Sequence, residues 1–405
     1  MGKRMLGVDV LTAARQRIAQ IFDDFPRIYV SFSGGKDSGV LLELAADEAR
    51  RRGRRIAVLI VDLEAQYQHT IAYIQLMLAR HADVIDVYWV ALPLALRNAV
   101  SQIEPKWMCW DPERTADWVR QPPAEAITDE KFFPFFTRGM EFEEFTPAFG
   151  EWYAGGKLTA CLVGIRTQES LNRWRTIAST RKRTHEGLQW STWIGGPLYN
   201  AYPIYDWTTE DIWTYYGKER VPYNTLYDRM HQAGLTIHQA RICQPYGDDQ
   251  RKGLWLYSII EPDTWGKVVQ RVSGANFGKI YARTSGNVLG RLRVTKPDAM
   301  TWETYAHLLL DSMPPVTAEH FRNKIAQFIR YYAQKQPDQY GDGRIPDEGP
   351  ARKGTPSWSR ICKTLLSFDY YCKSLTFSPT KSGEAYQRYQ ARMKARRDAW
   401  GILPS

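Results

Sequence analysis

The sequence lacks an apolar run long enough to cross a membrane, and no secretory signal pattern begins it. It has only five cysteines, without a Cys-x-x-Cys motif, and its seven histidines show no metal-ligand spacing. These absences argue against a membrane protein, a disulfide-stabilised secreted domain, and an iron–sulfur or zinc site built on paired cysteines. We therefore expect a cytoplasmic protein.

Acidic residues are also in the minority. The 405 residues include 54 Lys and Arg against 44 Asp and Glu, a formal net charge of +10. A basic chain favours polyanionic partners such as nucleotides or nucleic acid. Basic runs at Arg50–Arg55 and Thr180–Thr184 would suit nucleic acid, and an aromatic-rich basic surface could stack bases. Charge runs are more often solvated faces, however, and most aromatic rings are expected in the core.

The stretch Arg27–Gly53 predicts a strand, a glycine turn and a helix in direct succession. An alternating apolar run at Ile28–Phe32 predicts a buried strand, and apolar residues at helical spacing begin at Val40. A turn between strand and helix allows close backbone approach, and its N–H groups and the helix dipole point at one anion site. The turn consists of Ser33, Gly34, Gly35, Lys36, Asp37 and Ser38.

This turn is not a Walker A loop, which requires Gly-x-x-x-x-Gly-Lys-Ser/Thr. Here Asp37 follows Lys36, and the loop is shorter. SGGKDS after a strand instead resembles the PP-loop of the ATP pyrophosphatase superfamily, whose members grip the pyrophosphate of ATP and transfer AMP to an acceptor. An ordinary serine–glycine turn is the alternative interpretation, but the flanking strand and helix favour the PP-loop.

Apolar runs and helical patterns alternate along the next part of the chain. Ile56–Val61 and Val84–Ala91 predict buried strands, with a helix at Gln68–Arg80 between them. This order predicts an α/β fold with a doubly wound, mostly parallel sheet. Ligands in such sheets lie at the carboxyl ends of the strands, so Asp62, directly after the second strand, is expected to face the nucleotide.

The regular alternation of predicted strands and helices is then interrupted in two regions. Residues 93–151 are predicted to form an inserted lobe or lid over the site, and from about residue 241 the composition becomes turn-rich and basic. The predicted domains are residues 1–240, which include the lobe, and a mainly helical C-terminal region at 241–405. Predicted helices include 208–216, with Thr208 and Asp211 in a capping pattern, and 301–310, 318–334, 358–373 and 383–400.

Three motifs occur in order: SGGKDS at Ser33, GIRTQES at Gly164, and PIYDWTTEDIWTYY at Pro203, with VPYNTLYD after it. Together they resemble the phosphoadenosine-phosphosulfate reductase family and its sister, the small subunit of ATP sulfurylase. The resemblance spans roughly Phe22–Gly234 and implies the PP-loop ATP pyrophosphatase (adenine nucleotide alpha hydrolase-like) fold. The full SGGKDS is closer to ATP-using members than to the reductases.

The C-terminal part carries two further motifs, RICQPYGDD and SRICKTLLSFDYYC. They resemble the bacterial and phage subgroup known as immunoglobulin-binding regulator A. That subgroup is usually paired with a ParB-like protein, so the resemblance implies a ParB-like partner.

The resemblance also implies roles for the residues of the first motif. Ser33–Ser38 are expected to cradle the β- and γ-phosphates of ATP, because fixed donors that match the charge of leaving pyrophosphate lower the barrier. The loop after Asp62 is expected to help hold the nucleoside. Asp37 or Asp62 could position Mg²⁺, which such a leaving group usually needs.

In the second motif, Arg166 is expected to contact the phosphates or the acceptor, because a guanidinium fork suits that contact better than an ammonium. Glu169 and Ser170 are expected to brace the loop, and with Arg166 they are also candidate nucleotide-binding residues. Arg173 and Arg175 are either substrate contacts or solvated charges. Asp206 and Trp207 in the third motif are expected to be structural. The candidate catalytic residues are Lys36, Asp37 and Arg166.

Cysteine chemistry has weak support in the sequence. The reductases finish with a Glu-Cys-Gly-Ile-His tail whose thiol attacks sulfur, and this sequence has no such tail. Cys243 is the nearest candidate nucleophile, although a buried structural thiol is the more frequent case. Cys109, Cys362 and Cys372 could meet in space.

The leading interpretation is an enzyme that binds ATP and transfers AMP to an acceptor, releasing pyrophosphate. A sulfonucleotide reductase or sulfotransferase-type enzyme is the alternative within enzymes. An alternative from another class is a nucleotide-sensing regulator that acts with a ParB-like partner or a nucleic acid.

Overall fold

A six-stranded sheet forms the centre of the first half of the chain. The computed structural model describes residues 7–101, 104, 106–180, 182–242, 246–247, 253–275, 296–349, 355–366, 369–370 and 372–375. The strands in chain order are β1 (Arg27–Ser31), β2 (Ile56–Val61), β3 (Ile85–Val90), β4 (Ala95–Arg97), β5 (Lys106–Met108), β6 (Thr159–Val163), β7 (Ser191–Gly195) and β8 (Leu198–Ala201).

The strand order in the sheet is β3-β2-β1-β6-β8-β7. All neighbours pair in parallel except β7 and β8, which form an antiparallel hairpin at one edge. Val30 in β1 lies opposite Val58 in β2 and Leu162 in β6. The doubly wound, mostly parallel sheet expected from the sequence is confirmed, and the edge hairpin is an addition to it.

Helices and short helical turns surround and follow this sheet. They are α1 (Val10–Asp24), α2 (Lys36–Arg51), α3 (Gln68–Arg80), α4 (Phe142–Ala154), α5 (Leu171–Ala178), α6 (Thr209–Glu219), α7 (Leu226–Gln232), α8 (Leu254–Ile260), α9 (Pro262–Arg271), α10 (Trp302–Asp311), α11 (Pro315–Lys335), α12 (Pro337–Tyr340) and α13 (Trp358–Leu366). Within the described ranges, none of these helices has both the length and the apolar character that a bilayer crossing demands.

The strands are buried on both faces because their apolar residues run almost without interruption. Val30 and Val58 pack into a core shared with α1, α2, α3 and α6, whereas Tyr29 and Leu59 pack into a second core shared with α4. Adjacent residues of one strand thus enter opposite layers, as the two-residue period of a strand requires. This two-layer burial holds the carboxyl ends of β1, β2 and β6 in fixed positions.

The predicted inserted lobe contains the β4–β5 ribbon and a short 3₁₀ helix, Pro112–Asp117. Its predicted boundary at residue 151 falls inside α4. This helix packs on the sheet, because Phe145 and Phe149 lie in the same core as Tyr29, and the Phe149 ring meets the Tyr29 ring edge to face. α4 is therefore the crossover that leads into β6.

The C-terminal helices α10, α11 and α13 form a third core around Phe321, Phe328 and Ile361. Their bounds lie within a few residues of the helices predicted at 301–310 and 318–334. α13 is shorter than predicted, since it ends at Leu366. The helix predicted at 383–400 lies outside the described residues.

Candidate functional site

The first two motifs lie side by side at the carboxyl edge of the sheet. SGGKDS follows β1 and GIRTQES follows β6, and these strands are parallel neighbours. From β1 the chain moves to β2 and β3, and then returns to β6 on the other side of β1. The edge between β1 and β6 is thus a topological switch point, the position where open α/β sheets bind ligands.

The glycine turn packs tightly against its neighbours. Gly34 has a φ of +71°, and a Cβ there would lie 2.8 Å from Cγ2 of Thr70, so both conformation and space favour glycine. Gly35 is the N-cap of the 16-residue helix α2. The hydroxyls of Ser33 and Ser38 lie 3.0 Å apart, and Ser38 donates to the carbonyl of Gly35. The turn therefore presents a helix N-terminus, where the macrodipole favours an anion.

Two buried cations share one carboxylate beside this turn. Lys36 Nζ lies 3.2 Å from Oδ2 of Asp37, and Arg166 Nε donates to Oδ1 of Asp37 at 2.5 Å. Lys36 is only 4% exposed and Arg166 only 2%. Within the part of the chain that the structure describes, no second carboxylate pairs with either cation. The nearby Glu169 side chain pairs with Arg173 instead. The cluster carries an excess positive charge that an anionic ligand would neutralise.

GIRTQES also packs directly on the SGGKDS turn. A Cβ on Gly164 would lie 3.0 Å from the backbone N of Ser38. Arg166 Nη1 faces Oε1 of Gln168 at 3.3 Å, and Gln168 in turn accepts from the backbone N–H of Thr209 at 2.8 Å. The Arg166 side chain is thus fixed by α2 on one side and by the start of α6 on the other.

The third motif supports the turn from behind through residues that sequence reasoning missed. Asn224 Nδ2 donates to the carbonyl of Gly34 at 2.9 Å, and the Lys36 N–H donates to the hydroxyl of Tyr227 at 3.1 Å. The Tyr216 hydroxyl donates to the carbonyl of Lys36 at 2.7 Å, and burial raises the pKa of Tyr216, so this donor stays neutral. The polar Asn and Tyr within VPYNTLYD were the available signal.

Glu169 and Ser170 lie at the start of α5, next to the turn. Ser170 is the helix N-cap and accepts from the backbone N–H of Arg173 at 3.2 Å. Glu169 accepts from the backbone N–H of Arg166 at 3.3 Å. These contacts fit the predicted bracing of the loop, and nucleotide contacts by the two residues remain a prediction.

The structural role expected for Asp206 and Trp207 has a clear basis. Asp206 forms two hydrogen bonds with the Arg17 guanidinium, at 2.8 and 2.6 Å, and the Trp207 indole donates to the carbonyl of Val10. They attach α1 to the segment before α6. The predicted capping pattern of Thr208 and Asp211 is present as a reciprocal capping box.

Asp62 follows β2 as predicted, but its side chain faces the protein interior. The side chain is fully buried. Its Oδ1 pairs with Arg120 and accepts from the backbone N–H of Glu64. Its Oδ2 accepts from the Trp89 indole N–H at 2.9 Å. Buried donors thus contact both oxygens, so the structure brings Asp62 together with the inserted lobe and not with Lys36. Its predicted nucleotide and metal roles have no support from this placement.

The residues suggested for Mg²⁺ do not form a prepared metal site. Asp37 is engaged by Lys36 and Arg166, and Asp62 by Arg120. A hard dication needs several oxygen ligands with room around it, which these ion pairs do not offer. Mg²⁺ therefore stays a sequence-based prediction.

The cysteines of the described residues are buried and are divided between two cores. Cys109 is in the core under β2, and Cys362 and Cys372 are in the C-terminal core, so the three do not meet. Burial raises the pKa of Cys161 to about 12 and that of Cys362 to about 12, which disfavours the nucleophilic thiolate. Cys243 lies outside the described residues.

The loop after β2 is fixed from the C-terminal side of the chain, which sequence reasoning did not anticipate. Glu64 in this loop is fully buried and has a φ of +63°. Its carboxylate accepts from the backbone N–H groups of Trp110 and Val119. It also pairs with Arg271, whose Nε lies 2.9 Å away. Tyr257 donates to the carbonyl of Ala65 at 2.6 Å. No local sequence pattern marks these contacts.

The N-terminus of α3 is fixed in the same way. Glu261 accepts from the backbone N–H groups of Gln68 and His69, at 3.0 and 3.2 Å. A carboxylate at a helix N-terminus satisfies free N–H groups and interacts favourably with the dipole. A residue near the start of α9 thus completes a helix of the sheet domain.

Comparison with known proteins gives two family matches. Residues 27–234 match the family described as the phosphoadenosine phosphosulfate reductase domain. Residues 234–338 match a domain of unknown function, DUF3440. The first match contains the whole of the site described above, and the second contains α8 to α11.

Individual proteins similar to this chain cover different shares of it. The uncharacterized protein YbdN of Escherichia coli (strain K12) is 48% identical over 403 residues, 98% of this chain and 97% of that protein. Sulfate adenylyltransferase subunit 2 of Mycolicibacterium vanbaalenii is 24% identical over 229 residues, 52% of this chain and 60% of that protein. Among solved structures, phosphoadenylyl-sulfate (PAPS) reductase from Candida auris matches with 13% identity and a TM-score of 0.31, covering 53% of this chain and 84% of that one.

Proposed function

We propose, from the premise that the chain belongs to the phosphoadenosine phosphosulfate reductase domain family, that its SGGKDS turn binds the phosphates of ATP. The protein then cleaves ATP between the α- and β-phosphates and transfers AMP to an acceptor. Sulfate adenylyltransferase, whose name states an adenylyl transfer, is among the proteins similar to this chain. The immunoglobulin-binding regulator A resemblance adds a ParB-like partner to the proposal.

The observation that carries this proposal is the contact between motifs. Arg166 from the second motif and Lys36 from the first converge on Asp37 at a helix N-terminus. An excess of buried positive charge at this point is unfavourable unless an anion offsets it. A polyphosphate supplies that anion.

The proposed reaction is a displacement at the α-phosphorus of ATP. A nucleophilic atom of the acceptor attacks the α-phosphorus, and the bond from that phosphorus to the oxygen bridging to the β-phosphate breaks. The electron pair of the broken bond stays on pyrophosphate, and the acceptor loses its proton to solvent or to the leaving group. Lys36 and the N–H groups at the start of α2 stabilise the charge that develops on pyrophosphate.

Product analysis with ATP labelled at the α-phosphate tests the cleavage position. AMP or an adenylylated acceptor, together with pyrophosphate, is the expected result, whereas ADP and phosphate would overturn the proposal. The assay is run across candidate acceptors and is repeated with a ParB-like protein and with nucleic acid added, because the resemblance and the basic charge suggest such partners.

The binding step is tested separately with the Lys36→Ala variant and calorimetry. Loss of a charged donor in a buried site is worth roughly 1.5–3 kcal/mol, so the affinity for ATP should fall by about 10- to 150-fold. Lys157→Ala, an exposed lysine between α4 and β6, serves as the matched control and should leave the affinity unchanged. Equal affinities of Lys36→Ala and the unchanged protein would remove the turn from the site.

A further inference from the structure

A second cluster of ligand-type side chains lies at the opposite end of β1 from the SGGKDS turn. Asp24, His185 and Glu186 each bring one ligand atom into a group whose atoms all lie within 4.8 Å of one another. Asp24 is the last residue of α1 and precedes β1, whereas the turn follows β1. We propose that these three side chains bind a divalent transition-metal ion, with Zn²⁺ as the best match.

The buried histidine nitrogen is the first reason. His185 is only 8% exposed, and its Nε2 has no hydrogen-bond partner among the described residues. Oδ2 of Asp24 is also buried without a hydrogen bond, and the two atoms lie 3.4 Å apart. Buried polar atoms in native proteins almost always have hydrogen-bond partners, so two such atoms that face each other without a hydrogen bond are candidates to share one ligand.

The separation of these atoms is the second reason. Zn²⁺ lies about 2.0–2.2 Å from nitrogen and carboxylate ligands, so two ligands of a tetrahedral site are about 3.3–3.6 Å apart. The 3.4 Å between His185 and Asp24 has this value, while it exceeds the usual length of an N–H···O hydrogen bond. Glu186 is exposed, and one of its carboxylate oxygens already lies within 4.8 Å of the ligand atoms of Asp24 and His185.

The surroundings hold the histidine ring in place for a ligand. The ring centroid lies 4.5 Å from that of Phe25 and 5.3 Å from that of Tyr199. The His185 backbone N–H donates to Oγ of Ser191 at 2.8 Å, at the first residue of β7. Imidazole and carboxylate ligands suit zinc and its neighbours, and three protein ligands leave a fourth position for water.

A metal at this position joins two parts of the chain that local sequence does not connect. It links the α1–β1 junction to the segment that leads into the β7–β8 hairpin. Its expected effect is on stability, because a ligand that binds only the folded state shifts the unfolding equilibrium. The site is independent of the proposed ATP chemistry, since it lies at the other end of β1.

Titration of metal-stripped, full-length protein with Zn²⁺ tests the proposal, with calorimetry for affinity and thermal unfolding for stability. We expect one equivalent of Zn²⁺ to bind and to raise the melting temperature. His185→Gln should abolish both effects. Glu186→Gln, a change at an exposed side chain that keeps the fold, should weaken binding by more than the about 10- to 100-fold that loss of an outer-shell partner produces.

His238→Gln is the matched control for zinc bound at the surface. His238 and Glu210 form an exposed pair, 3.3 Å between Nε2 and Oε1, and within the described ranges no third ligand belongs to this pair. This variant should bind Zn²⁺ like the unchanged protein. The proposal fails if the unchanged protein does not bind Zn²⁺, or if Glu186→Gln and His185→Gln bind it with unchanged affinity. The Asp24–His185 contact is then an ion pair only.

Discussion

At the scale of single residues, Arg166 is the side chain that joins two motifs 129 positions apart in the sequence. Its planar guanidinium donates to Asp37 through Nε while Nη1 faces Gln168 and the Trp207 carbonyl. Only a fork of fixed donors can make these contacts together. The alternative role for Arg166 is to pair with a carboxylate such as Glu169 and only brace the loop. Its side chain does pair with a carboxylate, but this carboxylate is Asp37, whereas Glu169 accepts from the Arg166 backbone N–H. Measurements of turnover and stability therefore decide between the two roles.

We expect Arg166→Lys to lower turnover of the nucleotide more than it lowers stability. Lysine keeps the positive charge but loses the fork, so phosphate or acceptor contacts made in the transition state weaken. A fall of roughly 10- to 100-fold in kcat/KM corresponds to about 1.4–2.7 kcal/mol of lost stabilisation. Pyrophosphate release and the melting temperature are measured on one preparation.

Arg173→Lys is the matched control for this prediction, since Arg173 is a half-exposed arginine in an i,i+4 pair with Glu169. The Arg173→Lys variant should change neither pyrophosphate release nor the melting temperature appreciably. If Arg166→Lys instead lowers the melting temperature and leaves turnover per folded molecule as it was, Arg166 is a structural residue only.

At the scale of elements, the close packing of α2 against α3 and α6 holds the anion site in position. Gly39 lies inside α2, where a methyl group would collide with the Tyr73 hydroxyl and lie 2.5 Å from that of Tyr216. Because Tyr216 also donates to the Lys36 carbonyl, any shift of α6 is transmitted to the turn. The glycine is therefore required by space and not by conformation.

Gly39→Ala is expected to destabilise the protein, against the helix propensity of alanine. Propensity alone favours alanine over glycine by about 1 kcal/mol in a helix interior. Overpacking of a close-packed core typically costs about 1–3 kcal/mol, and the two hydroxyls must also move from their partners. Denaturant unfolding should therefore show a lower midpoint for this variant.

Gly217→Ala in α6 separates the two effects. A Cβ at Gly217 would meet nothing within 4 Å, so only the propensity term remains. This control should be stabilised by up to about 1 kcal/mol. A stabilised Gly39→Ala would mean that α2 and α6 are not packed as closely as described.

The elements were also the part that sequence predicted best. The helix at Gln68–Arg80 and the strand at Ile56–Val61 have the predicted bounds, because apolar periodicity and apolar runs report local burial directly. The β7–β8 hairpin was missed, since an edge strand such as β7 is only partly buried and its residues do not alternate clearly. The position of SGGKDS at a helix N-terminus was also predictable, because the apolar strand before it and the helical spacing after it are both local patterns.

At the scale of the whole molecule, sequence reasoning could not find contacts between distant segments. Glu64 and Arg271 are 207 positions apart, and Asn224 and Gly34 are 190 apart. The residues around one partner of each contact do not indicate the other partner, because tertiary packing, and not local secondary-structure propensity, brings distant residues together. Asp62 is a further example. It follows β2 as predicted, but its ion-pair partner Arg120 comes from the inserted lobe, which the sequence did not indicate.

The Glu64–Arg271 pair connects the C-terminal region to the loop after β2, and Arg271→Met tests how strongly. Both residues are almost fully buried, so removal of the cation leaves Glu64 with backbone donors only, and a loss of about 3–5 kcal/mol in unfolding free energy is expected. Guanidinium unfolding of the full chain measures it. Arg138→Met, which removes an exposed pair with Glu130, should give no measurable change. Similar unfolding curves for the two variants would show that the C-terminal region is not joined to the sheet domain through this pair.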